Sequence, residues 1–355
     1  MEFGIFSNGF RPHTTAAQTY DEDLAEIVLA DQLGFRDAYI SEHHGEPPYI
    51  GRVDTLPVPE LLMCKAASLT TQIRMGAAVR VIHLQHPLDV AVQAATTDQL
   101  LKGRYIFGYG TGFPSPLFSV ERGLTHEDRH ARLSESLDLI LQCWSKVEPF
   151  DWDGTHWKGK GIVSLPKPYS TPHMPIATAT DTDAMIKIAA ERGYILLSAQ
   201  LEPPTRIRKK SQVYSRYALA AGRERPLESI TVARLVYISD SKQQALDDLR
   251  AAVAFEVGVQ AERGFLSMLK DAYNVELLPN KTAIDQLVEA GLYLVGDPDS
   301  VTKNLKAFYE DAGGFGTLLI VTGKDWASRE KRANSMRMFM EFVAPQLRSL
   351  VPTRS

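Results

Sequence analysis

The sequence predicts an α/β protein folded as a single closed (β/α)8 barrel of parallel strands. Short β-prone runs alternate with longer helical patterns from end to end, as βα units around a parallel sheet require. Eight such runs can be counted, the number that closes a barrel. The chain has 355 residues, more than the roughly 250 typical of the fold, and the surplus falls in excursions instead of a linker between halves.

The strand candidates, in order, are Phe3–Ser7, Ala38–Ser41, Ile73–Val81, Tyr105–Tyr109, Pro175–Ala179, Ile195–Ser198, Ile230–Ile238 and Thr317–Val321. Between them lie helical stretches that end on glycine stops. Asp21–Leu33 runs into Gly34, Pro87–Leu101 into Lys102-Gly103, and Asp183–Arg192 into Gly193; glycine takes the left-handed conformation that ends a helix without steric cost. The excursions are Pro114–Thr125 after the fourth strand, Glu148–His173 before the fifth, and Gly258–Gly291 late in the chain. No repeat or low-complexity segment divides the sequence. Residues 1–350 therefore read as one barrel domain and 351–355 as a C-terminal tail. A doubly wound open sheet is the alternative arrangement of the same units.

Composition narrows the function. Hydrophobic residues make up 44% and charged residues 23%, enough for a large core and no disorder. The 39 basic against 43 acidic residues give a net charge of -4, which offers no global attraction to nucleic acid or to an acidic membrane. Cys64 and Cys143 are the only cysteines, so a disulfide scaffold is excluded and a reducing compartment fits. No apolar run reaches the ~18 residues that span a bilayer, and Met1–Phe6 lacks the pattern of a signal peptide. The expectation is a cytoplasmic protein.

In a barrel the chemistry sits where strands end. Glu42, His43 and His44 leave the second strand; two imidazoles and a carboxylate supply a general acid or base, or, in the plain reading, a loop cap and a packed ring. Gly108-Tyr109-Gly110-Thr111-Gly112 leaves the fourth strand; alternating glycines let backbone approach a flat ligand or a phosphate. It is no dinucleotide fingerprint, because Phe113-Pro114 follows it instead of a helix. Thr180-Asp181-Thr182-Asp183 opens the helix after the fifth strand, an anion site by its free N–H groups, with the aspartates as alternative caps. Arg129 and Arg132 lie on a preceding helix that reaches the same rim.

Other signals weigh less. His126-Glu127-Asp128-Arg129-His130 matches the zinc protease pattern H-E-x-x-H, but Thr125 reads as an N-cap opening an exposed, charged helix, and no third ligand is spaced convincingly nearby. No metal is expected. His83 and His86 read as loop-lining residues. Trp144, Trp152, Trp157 and Trp326 read as packing residues, with a pocket wall as the alternative for Trp326, which follows the last strand. Phe113, Phe118, Phe255 and Phe265 are candidates for an apolar cavity, against the plain reading of core aromatics.

Taken together, Phe3-Gly4-Ile5-Phe6, Glu42-His43-His44, Asp98-Gln99-Leu100 with Lys102-Gly103-Arg104, and Ala189-Ala190-Glu191-Arg192-Gly193 resemble the bacterial luciferase-like flavin monooxygenases over nearly the whole chain. Lys167-Pro168-Tyr169 through Pro175-Ile176, and Gly296-Asp297-Pro298 through Gly313-Gly314-Phe315-Gly316, are most similar to the limonene and diketocamphane monooxygenase branch. The resemblance implies a barrel enzyme that takes reduced FMN from a separate flavin reductase, reacts it with O2 and transfers one oxygen atom to an apolar organic substrate. It also implies a homodimer or a related heterodimer. The catalytic imidazole falls on His43, with Glu42 beside it and His44 second. The flavin ring would lie against Ala77, Ala78 and Val79 and against Tyr109, Gly110, Thr111 and Gly112, with a non-proline cis peptide at Ala78–Val79. The FMN phosphate would sit near Thr180, Asp181 and Thr182, with Arg129 or Arg132 as cationic partner.

The chain departs from the pattern in places. Luciferase has Glu-Ser-Ala-Ser where this chain has Thr178-Ala179-Thr180-Asp181, a reactive Cys where it has Gly110, and a phosphate-binding Arg where it has Thr111. Light emission is not expected, and Asp181 and Asp183 would repel a phosphate unless turned away. Baeyer–Villiger insertion, epoxidation and hydroxylation all remain open. So do a deazaflavin-dependent hydride transfer and a non-catalytic flavin-binding protein on the same barrel.

Overall fold

A computed structural model describes residues 1–43, 56–112, 123–261 and 264–350. His44, Phe113, Phe118, most of the excursion after the fourth strand, and the tail 351–355 lie outside the described residues. The chain begins with β1 (Glu2–Phe10), α1 (Ala16–Leu33), β2 (Asp37–Ile40), α2 (Pro59–Ala67), β3 (Arg74–Ala77), α3 (Pro87–Leu101) and β4 (Tyr105–Tyr109). Next come α4 (His126–Ser145), a hairpin of β5 (Phe150–Asp153) and β6 (Lys158–Ile162), then β7 (Ile176–Ala179), α5 (Asp183–Arg192), β8 (Ile195–Ser198), α6 (Pro204–Ala220) and β9 (Ile230–Ile238). The last part holds α7 (Lys242–Ala261), α8 (Phe265–Tyr273), α9 (Ala283–Glu289), β10 (Tyr293–Gly296), α10 (Pro298–Asp311), β11 (Thr317–Lys324) and α11 (Arg329–Met338).

Eight parallel strands close into a ring in the order β9, β11, β1, β2, β3, β4, β7, β8, and β8 pairs back onto β9. That closing pair, with Leu197 beside Thr231, excludes the open sheet. Strand periodicity sorts the core into two layers. Ile5, Ile40, Phe107, Ile176, Leu196, Val232 and Ile320 face the helices. Tyr39, Ile106, Ala177, Leu197, Ala233 and Leu319 fill the interior. The interior cluster continues into Leu246, Leu249, Phe265, Leu269 and Leu287, so the late excursion caps the barrel instead of standing apart from it.

The glycine stops are where the sequence places them. Gly34 (φ 80°) and Gly193 (φ 72°) are left-handed caps, and Lys102 (φ 51°) takes that conformation itself before Gly103. α1 starts earlier than expected, because Thr15 caps it in a box with Gln18. The late excursion begins with α7, so Gly258 falls inside a helix and not at its edge. A ninth parallel strand, β10, pairs with Leu235–Ile238 of β9, and the excursion before the fifth barrel strand holds the antiparallel β5–β6 hairpin; neither is anticipated from sequence. No helix among the described residues is long and apolar enough to cross a membrane.

Candidate active site

The exits of β2, β3 and β4 form one side of the barrel mouth. β3 leaves its ladder after Ala77, and the Ala78–Val79 peptide is cis. The expected strand to Val81 is therefore shorter, and only Arg80 rejoins β4, as a bridge to Tyr109. The alternating glycines answer to this bend. A Cβ on Gly108 would lie 1.7 Å from the Ala77 carbonyl oxygen, one on Gly110 2.5 Å from Val79 Cγ2, and one on Gly112 2.9 Å from Val81 Cγ2. What approaches these glycines is the neighbouring strand. The ring of Tyr109 packs against Phe107 and Tyr194 in the helix layer, which leaves the residue's backbone, not its side chain, to face the mouth.

Beneath the bend Arg80 is 2% exposed. Its guanidinium meets Glu60 at 3.3 Å and Gln85 at 2.8 Å, and also bonds Gln93; the Tyr105 hydroxyl donates to Glu60 at 3.0 Å. Burial works against the charge, but Glu60, Tyr105 and Glu42 outweigh it and raise the Arg80 pKa. Glu42 is buried and accepts from the Val81 N–H at 3.3 Å. The carboxylate before His43 is thus tied to the segment after the cis bond. His43 is half-buried, and its own N–H donates to the Leu56 carbonyl at 3.3 Å.

Across the rim, the loop after β7 turns its acid away. Asp181 pairs with Arg206 at 2.7 Å and Lys210 at 3.3 Å. Thr182, the N-cap of α5, makes no side-chain cap bond, and its N–H donates to Thr180 Oγ1 at 3.3 Å. The repulsion feared for a phosphate is removed on the Asp181 side.

The cationic group lies on α4. Thr125 opens this helix with a capping box to Asp128, so Arg129 and Arg132 fall one turn apart on one side. Arg129 is 6% exposed, and the Nε atoms of both arginines are buried without a partner. The guanidinium of Arg132 lies 4.4 Å over the Trp157 ring. Trp157 is set there by Glu135, which accepts from its N–H at 3.0 Å and from Trp152 Nε1 at 3.2 Å. His83, in the turn Ile82–Leu84 packed on α4, is fully buried, with both ring nitrogens unpartnered. Burial first, then Arg129, Arg132 and His130, push its pKa down to about 4. From sequence His83 reads as a loop-lining residue; its burial and its neighbours on α4 single it out. Among the described residues, no group of three or more His, Cys, Asp or Glu could hold a metal ion.

On the β11–β1 side, Glu256 of α7 accepts from Trp326 Nε1 at 3.1 Å and Tyr293 OH at 3.3 Å and pairs with Lys324 at 3.3 Å. Phe255 beside it meets the His13 ring at 4.7 Å. Trp326 is thus clamped near the end of the last strand, whereas Phe265 packs in the core.

Residues 1–315 match the family model for luciferase-like monooxygenases. The chain is 29% identical to 4-hydroxyprotoasukamycin monooxygenase of Streptomyces nodosus subsp. asukaensis, across 92% of this chain and 86% of that protein. It is 26% identical to limonene 1,2-monooxygenase of Rhodococcus erythropolis, across 97% and 86%. The oxygenating constituent of 3,6-diketocamphane monooxygenase from Pseudomonas putida, a type II Baeyer–Villiger monooxygenase solved in complex with FMN, superposes with a TM-score of 0.84 at 25% identity over 99% of both chains. With the family match covering every barrel strand up to the last, and with relatives aligned across nearly the full chain, this protein belongs to the luciferase-like monooxygenase family.

Proposed function

We propose that the protein is the oxygenase component of a two-component system. It takes reduced FMN from a separate reductase and uses O2 to place one oxygen atom in an apolar organic substrate, working as a cytoplasmic homodimer. The observation that carries this reading is the pair Arg129 and Arg132 at the rim: Arg129 is buried and Arg132 half-buried, both Nε atoms are buried without a partner, and neither guanidinium meets a carboxylate among the described residues. A buried charge without a partner is costly, and a phosphate monoester supplies the missing anion in bidentate geometry. FMN brings such a phosphate, and the FMN-bound relative from Pseudomonas putida supports the choice.

The donor set fits the cofactor. Arg129 and Arg132, with the hydroxyls of Thr180 and Thr182, would hold the phosphate, with Asp181 drawn off by Arg206 and Lys210. The segment Ala77–Val79 and the backbone of Tyr109–Gly112 would flank the ring. When bound, reduced FMN supplies the electrons that activate O2 for oxygen transfer. The chain's own task is then proton placement and water exclusion. His43, half-buried at the β2 exit, can hold and deliver a proton, and Glu42, fixed by Val81 N–H, sets the strand end that carries it. Whether His43 keeps its proton or gives it up biases the site towards epoxidation and hydroxylation or towards insertion into a ketone.

The test supplies reduced FMN, O2 and a panel of cyclic ketones and terpenes to the parent protein and to His43→Ala, with products identified by mass spectrometry. The expected result is oxygenated product from the parent and a loss of about 10²–10⁴ in kcat for the variant. Equal product from both removes His43 from the mechanism. Tight binding of a deazaflavin but not of FMN overturns the monooxygenase reading, and a monomer by sedimentation overturns the dimer.

A further inference from the structure

A phosphate site made of two arginines binds its anion at any pH at which the anion is charged. This one contains a third group of a different kind. His83 sits in a turn pressed between the bend after β3 and helix α4, with 0% exposure and neither ring nitrogen hydrogen-bonded. A buried imidazole ordinarily has a partner on at least one nitrogen. The charges that act on it are Arg129, Arg132 and His130, all on α4 and none acidic. The surrounding carboxylates are committed elsewhere or face outward: Glu60 bonds Arg80 and Tyr105, Glu42 accepts from Val81 N–H, Glu135 holds the β5–β6 hairpin, Asp128 caps with Thr125, and Asp89 and Glu127 are exposed. The ring is therefore neutral without ligand, because protonation would add a fully buried positive charge beside the buried Arg129 and the half-buried Arg132. A phosphate dianion between the guanidinium groups reverses that balance, since it brings two negative charges and charged oxygen acceptors beside the ring.

We propose that His83 is the proton-accepting arm of the phosphate site, taking a proton from solvent as a phosphate monoester dianion seats between it, Arg129 and Arg132. Flavin capture is then coupled to protonation of one imidazole, which donates N–H to a phosphate oxygen once charged. The inference rests on the assignment of this cluster to the FMN phosphate. It goes beyond that assignment by adding a residue and a proton to it. The coupling also discriminates between flavins, because riboflavin has the ring but no phosphate and cannot drive the protonation.

The experiment is calorimetric titration of the apo-protein with oxidised FMN and with riboflavin at pH 7.0, in two buffers of different ionisation enthalpy, so that the heat difference reports protons exchanged. The free phosphate has its second pKa near ~6 and is already mostly dianionic there. The expected result is net proton uptake with FMN, none with riboflavin, and FMN bound the more tightly. His83→Gln, which keeps a neutral side-chain donor, is expected to abolish the uptake and weaken FMN about tenfold while leaving riboflavin unchanged. If the parent binds FMN no better than riboflavin, the phosphate assignment falls and this inference with it. If FMN is preferred but no proton is taken up, or His83→Gln takes up the same proton, the assignment stands and the role of His83 is overturned. Should His83→Gln fail to fold, as its melting curve would show, the parent's proton count with FMN against riboflavin and the His83→Asn variant decide the matter.

Discussion

Of the arginines buried near the barrel mouth, Arg11 at 1% exposure and Arg129 at 6% have opposite surroundings. Arg11, just past β1, meets Asp23 at 2.6 Å and Glu26 at 2.9 Å. Ser7 donates to Asp23 at 2.9 Å, and Glu26 also accepts from Gly323 N–H at 3.0 Å and Arg332 Nε at 3.2 Å. The group joins β1, α1, β11 and α11 through balanced charges. Arg129 has no carboxylate among the described residues. Both side chains have an Nε without a partner, so the difference lies in the acids that meet the other nitrogens of Arg11. Burial alone does not separate a structural charge from one kept for a ligand. Between Arg11 and Arg129 the presence or absence of a fixed counter-ion does.

The largest effect expected from this contrast is on stability. Arg11→Met strands Asp23 and Glu26 beside each other in the interior and is expected to cost about 3–5 kcal/mol of unfolding free energy, the range for removing one partner of a buried ion pair. Urea denaturation measures it. Arg129→Met leaves no acid behind. Its apo-protein is expected to be as stable as the parent or up to about 1 kcal/mol more stable, while FMN affinity falls by about 10- to 100-fold and riboflavin affinity holds. If both substitutions destabilise alike, the distinction between the clusters is broken. If Arg129→Met binds FMN as well as the parent does, the rim cluster is not the phosphate site.

The two clusters were not equally legible in the sequence. Arg129 and Arg132 show as an i, i+3 pair behind a capping threonine, and their relation to a rim follows once strands are counted. The Arg11 group does not show, because its second cation, Arg332, is 306 residues from Glu26 and only barrel closure brings them together. His83 is the same case at shorter range: a histidine in a loop means little until burial and two charges from α4 are added. Local chemistry read well elsewhere, as in the glycine stops and the alternating strands. It read less well at Gly108, Gly110 and Gly112, where alternation announced a close approach but not that β3 makes it. β10 was hidden because four residues between two glycines carry no period, and its partner is the far half of β9.

The smallest and most selective prediction concerns acid. His83 has its pKa depressed to about 4 in the folded protein against ~6.5 unfolded. Below pH ~6.5 the unfolded chain binds the proton more readily than the folded one, so this residue removes stability as pH falls towards about 4, by at most ~1.4 kcal/mol per unit. Asp23 works the other way in part of the same window. Burial pushes it up to about 6, so the folded protein takes its proton first and gains stability on acidification. Glu26, held down by Arg11 and Arg332 against its burial, loses stability only as pH drops below its unfolded value. The parent's profile mixes all three, but the difference between the parent and His83→Gln isolates the imidazole. Melting temperatures of the two apo-proteins between pH 7 and pH 4 should diverge, with the variant losing less on acidification. Parallel curves would mean that His83 already has a compensating acid. Saturating FMN should close the gap, because a bound phosphate lets the folded protein hold the proton that the apo-protein refuses, and that reversal would be absent from the self-neutralised Arg11 cluster.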